Sequence, residues 1–297
     1  MNAIEHRPLD ILLGIDGSEH AMAAVHAIHD LRLPPGSQVT ALAVLTPRET
    51  PPRHKLLAAL DQAEAALQGC GAEIRTGLAH GHPAVELVKA AEHRGSDLLV
   101  VGATGLRATL GILLGGVAQQ VVEYASLPVM VVRAPHAGLR RVLLATDGSP
   151  DSAHVAEYLT RLPLPSGASV EVMHVLPPAP VYEPVSPVSR LSRSGFEQFP
   201  PPGDLAESEE KQGQSLLNRT LETLDKGGLT AAKVLARGDA ASEIIEHAKA
   251  SSTDLIVAGS RGLSEVQGWM LGSVTRKLVH YAPCSVLIVR PESAPVP

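Results

Sequence analysis

The stretch Ile11-Leu-Leu-Gly-Ile-Asp-Gly-Ser18 recurs as Val142-Leu-Leu-Ala-Thr-Asp-Gly-Ser149, 131 residues later. Each copy is a short aliphatic run that stops at Asp-Gly, the pattern of a buried strand running into a turn. The same offset carries Val44-Leu45 onto Val175-Leu176. Further along the offset is 157: Asp97-Leu-Leu-Val-Val-Gly-Ala-Thr-Gly-Leu106 matches Asp254-Leu-Ile-Val-Ala-Gly-Ser-Arg-Gly-Leu263, with six of the ten positions identical. At that offset Tyr124-Ala125 and Val129-Met-Val-Val-Arg133 match Tyr281-Ala282 and Val286-Leu-Ile-Val-Arg290. The second copy therefore carries 26 extra residues, which fall in the stretch 177–203 with its eight prolines. Such a composition reads as an extended surface loop or as disorder. The chain is a tandem duplication of one unit, divided as residues 1–136 and 137–297.

Each copy alternates strand and helix. In the first, strands are expected over Asp10 to Ile15, Val39 to Leu45, Ala72 to Leu78, Asp97 to Val101 and Val129 to Arg133. Helices are expected between them over Glu19 to Leu31, Lys55 to Leu67, Pro83 to His93 and Gly116 to Tyr124. Strands separated by helices of this length need right-handed crossovers and form a parallel, doubly wound sheet. The expected fold class is α/β, with two tandem doubly wound five-stranded parallel-sheet domains. In such sheets ligands bind beyond the carboxyl ends of the strands, near the topological switch point. The final strand is a very apolar edge in both copies, and unpaired edges invite association.

Composition narrows the function. The 297 residues are 44% hydrophobic and 19% charged, enough to bury a core in each half. Only 2% are aromatic, too few rings for a protein that stacks bases on aromatic platforms. A net charge of -6 argues further against a nucleic-acid partner. Cys70 and Cys284 stand far apart in no metal-ligand spacing, as in a reducing compartment. With neither a signal-peptide pattern nor an 18-residue apolar run, the expectation is a cytoplasmic protein with no membrane partner.

Chemistry is therefore sought after strands one and four. Asp16-Gly17-Ser18 and Asp147-Gly148-Ser149 follow strand one. A carboxylate there can accept hydrogen bonds from a ribose or hold a metal-bound water; alternatively Asp or Ser only caps the next helix. After strand four of the second copy comes Gly259-Ser260-Arg261-Gly262, then nine residues, then Gly272-Ser273 opening a helix. Glycines admit a phosphate close to the backbone, and free amides at a helix start favour an anion. The Ser273 hydroxyl can donate to a phosphoryl oxygen or cap its own helix.

These residues resemble the universal stress protein family, whose nucleotide signature Gly-x2-Gly-x9-Gly-(Ser/Thr) is matched by Gly259, Gly262, Gly272 and Ser273. The Asp-Gly-Ser turn, His174-Val175 and Ser285-Val-Leu-Ile-Val-Arg290 also look like the family pattern. The resemblance spans nearly the whole chain as two copies. It implies a Rossmann-like fold of the adenine nucleotide alpha hydrolase type and a stress-response role. It also implies ATP, with or without Mg2+, as the cofactor. By resemblance Asp147 contacts the ribose and the Val175 backbone the adenine. Gly259, Ser260, Arg261, Gly262, Gly272 and Ser273 then form the phosphate side. The family commonly dimerises through strand five. The resemblance thus implies an intramolecular pseudo-dimer of the two halves, and leaves a further homodimer open.

The first copy places Asp16, Val44, Gly102, Gly105 and Gly115 in register, but Gly116 stands where the signature has a hydroxyl. One lost hydrogen bond to a charged group is worth about 1.5–3 kcal/mol, so the second half is expected to bind ATP more tightly. His80-Gly81-His82 reads as a solvated loop, the acidic run Glu207 to Glu210 as a solvated helix start, and Cys284 as a packed thiol. Without a P-loop Gly-Lys-Ser/Thr or an evident general base, a nucleotide-binding sensor is expected rather than a catalyst. A slow ATPase or phosphotransferase and a nucleotide-free interaction scaffold are the alternatives.

Overall fold

A computed structural model of the chain describes residues 7–48, 51–105, 113–178, 202–262 and 271–290. The first half runs β1 (Asp10–Ile15), α1 (Glu19–Asp30), β2 (Gln38–Leu45), α2 (Arg53–Leu67), β3 (Glu73–His80), α3 (Pro83–Arg94), β4 (Leu98–Gly102), α4 (Gly116–Tyr124) and β5 (Val129–Val132). The second half repeats it as β6 (Arg141–Ala145), α5 (Pro150–Arg161), β7 (Ser169–Leu176), α6 (Pro202–Lys226), β8 (Ala231–Arg237), α7 (Ala240–Ala250), β9 (Leu255–Gly259), α8 (Ser273–Tyr281) and β10 (Ser285–Val289). Elements lie within two residues of their expected places in the first half. The expected proline-rich loop 177–203 lies largely outside the described residues. Its last residues, Pro202 and Gly203, already belong to α6, so the helix starts earlier than the proline run suggests.

The ten strands form one sheet in the order β3-β2-β1-β4-β5-β10-β9-β6-β7-β8. Within each half all pairings are parallel. Between halves, β5 and β10 pair antiparallel, with Val131 opposite Val286 and Met130 opposite Leu287. The pleat explains the two cores. Alternate residues of a strand face opposite sides, so Ile11 and Leu13 pack against α1 and α2 while Leu12 packs against α3 and α4. In the second half α5 and α6 continue the first layer and α7 and α8 the second. Among the described residues no helix is long and apolar enough to cross a membrane.

Contacts across the middle go beyond the strand pair. The Tyr158 hydroxyl of α5 donates to the Asp97 carbonyl at 3.1 Å, and the Arg32 amide to the Pro163 carbonyl at 2.9 Å. Arg133, just past β5, donates from Nη2 to the carbonyls of Val279 and His280 at the end of α8. Arg290, just past β10, donates from Nη2 to the carbonyls of Val122 and Glu123 at the end of α4. The last carbonyls of a helix lack internal donors, and a guanidinium fork supplies them. Each half thus caps a helix of the other. Burial pulls both guanidinium pKa values down, and for Arg290 the nearby Arg261 charge adds to the effect.

Candidate functional site

The sheet order reverses between β1 and β4, and between β6 and β9, and a cleft opens at each reversal. The first-half cavity has a volume of about 690 Å³ and the second-half cavity about 280 Å³. Asp16, Val44, Gly102, Gly105 and Gly115 all line the first. Asp147, Val175, Gly259, Arg261, Gly262, Gly272 and Ser273 all line the second. Ser260 does not: it is 1% exposed, its hydroxyl has no hydrogen-bond partner, and its carbonyl accepts from the Gly272 amide at 2.8 Å. Its part at the cavity is to fix the backbone of Gly272.

The Asp-Gly-Ser turn divides its work. Ser18 and Ser149 are the caps, their hydroxyls accepting from the amides of Ala21 and Ser152. The glycines between sit at φ 80° and 81°, which disfavours a side chain. The carboxylates turn one oxygen inward: Asp16 Oδ1 accepts from the Ser18 amide at 2.9 Å, and Asp147 Oδ1 from the Ser149 amide at 3.0 Å and its hydroxyl at 2.7 Å. The other oxygen faces the second glycine of the Gly-x2-Gly loop. A Cβ on Gly105 would stand 2.5 Å from Asp16 Oδ2, and one on Gly262 2.5 Å from Asp147 Oδ2. A side chain on that glycine would therefore have to displace the carboxylate of the other loop, a constraint not apparent from the spacing alone.

The helices that follow the glycine loops stand open at their N-termini. Gly115 and Gly272 are the N-caps of α4 and α8 and give no side-chain hydrogen bond. Ser273 is the first helical residue, is exposed and does not cap, which leaves its hydroxyl for a ligand. Thr275 instead ties α8 to the end of β9, donating to the Gly259 carbonyl at 2.7 Å. On the opposite wall β2 and β7 outrun their neighbours. Pairing of β1 with β2 stops at Ile15–Ala43, and of β6 with β7 at Ala145–Met173. The Met173 carbonyl still accepts from Thr146. Because backbone groups alternate in direction along a strand, those of Val175 point to the same side, where β6 has ended. Val44 is placed likewise beyond β1.

The two cavities differ in their cations and their room. Arg261 Nε lies 3.5 Å from Asp151 Oδ2 in the first turn of α5, at the mouth of the second cavity. The first cavity has Thr104 in that position, and Lys55 of α2 enters its lining. Leu216 of α6 lies against Gly148 on the second-half side. Asp151, Lys55 and Leu216 escaped sequence reasoning because they come from helices whose tilt no motif records. The acidic run also needs correction: Glu209 is half-buried and pairs with Arg237 at 2.6 Å. His80 and His82 are exposed.

Matched glycines, a cap-free helix and a carboxylate recur in both halves at the same strand ends, and a family model described as the universal stress protein family matches residues 9–133 and 138–290. The chain belongs to the universal stress protein family. A universal stress protein of Mycolicibacterium smegmatis is 26% identical over 309 aligned residues, covering 95% of this chain and 97% of that one. Universal stress protein YxiE of Bacillus subtilis is 33% identical over 152 residues, 50% of this chain and 98% of that protein, as expected of a single-copy relative. The crystal structure of a universal stress protein from Archaeoglobus fulgidus has the same fold, with a TM-score of 0.59 at 20% identity over 95% of this chain and 96% of that one.

Cys284 enters the β10 side of this universal stress protein fold as a packed thiol. Desolvation by burial pushes its pKa up to about 12, against the pull of Arg133. The raised folded value means that the thiol adds stability in full below its unfolded pKa of about 8.5, and that this is lost as pH rises from there toward about 12. At pH 8 iodoacetamide is expected to label Cys284 in the folded chain at least about tenfold more slowly than in the urea-unfolded chain. Equal rates would show an accessible thiolate.

Proposed function

We propose that the chain is an ATP-binding universal stress protein that acts as a nucleotide-dependent sensor or regulator, with its stronger site in residues 137–297 and a second, weaker site in residues 1–136. The observation that supports this most is the convergence of open backbone groups on each cleft: helix amides at α4 and α8, and strand-end groups at Val44 and Val175. Phosphates suit the first and an adenine edge the second. Adenine would rest on aliphatic walls such as Leu42 and Leu87, which accords with the scarcity of rings. The Asp16 and Asp147 carboxylates stand where a ribose would lie between those two ends.

The two halves differ in donors and in room. The second half has the Ser273 hydroxyl and Arg261 but the smaller cavity. Arg261 is half-exposed and held by an ion pair worth little in solvent, so a phosphate group can draw it away. The antiparallel β5–β10 pairing supports reading the two halves as a pseudo-dimer within one chain.

Gly116 offers a direct test, because nothing lies within 4 Å of a Cβ built there. Gly116→Ser should raise ATP affinity of the first site by about tenfold or more in calorimetric titration of the full chain, and Ser273→Gly should lower that of the second by a similar factor. No change in either variant would remove the hydroxyl from the site. ATP binding in neither half of the wild-type chain would favour the scaffold reading. Single-turnover hydrolysis that disappears in Asp147→Ala would favour the ATPase.

A further inference from the structure

Arg133 touches more than the end of α8. Its Nη1 donates to the Leu113 carbonyl, two residues before Gly115, while its Nη2 donates to Val279 and His280 at 2.8 and 3.0 Å. One guanidinium therefore spans from the loop that opens α4 in the first half to the last turn of α8 in the second. The other end of α8 is Gly272-Ser273, on the second cavity. At about 1.5 Å per residue the nine-residue α8 is only about 13 Å long, so it moves as a unit.

We propose that Arg133 is a positioning residue that couples the two nucleotide sites. This rests on the nucleotide reading above. An anion at the N-terminus of α8 fixes the helix as a unit, its last carbonyls included. Arg133 is then held more firmly, and so is the Leu113 carbonyl that it also grips. The loop from Leu113 to Gly115 is thereby ordered before a second nucleotide arrives, so that ligand meets a smaller ordering cost and binds more tightly. Reciprocity requires the first site to favour the second by the same factor. Arg290 makes the mirror contacts, to Val122 and Glu123 at the end of α4. A lysine could not replace Arg133, since a point-like ammonium cannot serve carbonyls on two separate elements as a planar fork does.

Hydrogen exchange of the full chain carrying Asp16→Ala, in which ATP has only the second site, tests the coupling. ATP is expected to slow exchange at Ser273 to Thr275 and, with the same midpoint concentration, by about fivefold at residues 113–118 of the other half. In Asp16→Ala with Arg133→Lys, which keeps the charge and the fold, protection at Ser273 to Thr275 should remain and protection at 113–118 should vanish. Unchanged exchange in β4 would confirm that the variant is folded. Protection at 113–118 that survives Arg133→Lys, or that is absent while Ser273 is protected, overturns the coupling alone. No protection at Ser273 overturns the nucleotide reading and the coupling together.

Discussion

Replacing Arg133 and Arg290 together by methionine is expected to lower the unfolding free energy by about 4 kcal/mol, about 2 kcal/mol for each arginine. Each guanidinium donates to two carbonyls at the end of a helix in the opposite half, where no backbone donor exists. Methionine matches the stem and leaves those carbonyls desolvated without partners. Both side chains already carry an Nε that is buried with no partner among the described residues, so part of the gain is offset in the native chain. The expected loss per arginine is therefore nearer that of ordinary hydrogen bonds than of ideal charged ones. Urea denaturation followed by circular dichroism would show a lower midpoint. Because the two residues hold different helices, each single variant should account for about half the loss. A double variant within about 0.5 kcal/mol of wild type would mean that the β5–β10 strand pair, with the Tyr158 and Arg32 contacts, holds the halves together without the arginines.

Gly262→Ala is expected to weaken ATP binding at the second site by at least about thirtyfold, equivalent to about 2 kcal/mol. The new Cβ would stand 2.5 Å from Asp147 Oδ2, closer than any ordinary contact. Either the carboxylate rotates out of its Asx-type bond with Ser149, or the Gly259–Gly262 loop moves off the cavity. Both remove a partner from the ligand. The first half offers a cycle that isolates the cause, since Gly105 and Asp16 stand in the same relation at the same 2.5 Å. Gly105→Ala should destabilise the wild-type chain clearly, and Asp16→Ala should erase most of that cost. Equal costs in the two backgrounds would show that Gly105 is required for some reason other than the carboxylate.

Much of this was legible in the chain itself. Aliphatic runs closed by Asp-Gly or Gly-x2-Gly placed β1 and β4 within a residue, because a strand buried on both faces needs an unbroken apolar run and a sharp exit. The Asp-Gly-Ser and Gly-x2-Gly residues of the clefts followed from the same logic, since in a doubly wound sheet ligands lie at the strand ends of the switch point, whereas Val44 and Val175 came from the family resemblance. Where sequence reasoning fell short, the missing information was non-local. Ser260 reads as one of four loop residues, yet its side chain points away from the ligand side. Glu209 reads as solvated because its partner, Arg237, is 28 residues away in sequence. Arg133 and Arg290 stand out in the repeat as matched residues, but nothing local says that each reaches across to the other half.

The sequence by itself determined that this protein is one α/β unit written twice, with unequal glycine loops: Gly116 against Ser273, Thr104 against Arg261. Those are properties of period, spacing and residue type, which act locally. Only the tertiary structure decided that the apolar edges of β5 and β10 meet antiparallel and close ten strands into one sheet. It alone decided that the second glycine of each loop answers to a carboxylate, and that the half with more donors has less room. Edge pairing, close approach and cavity size depend on which surfaces meet after the chain has folded back on itself, and no run of neighbouring residues encodes that distance.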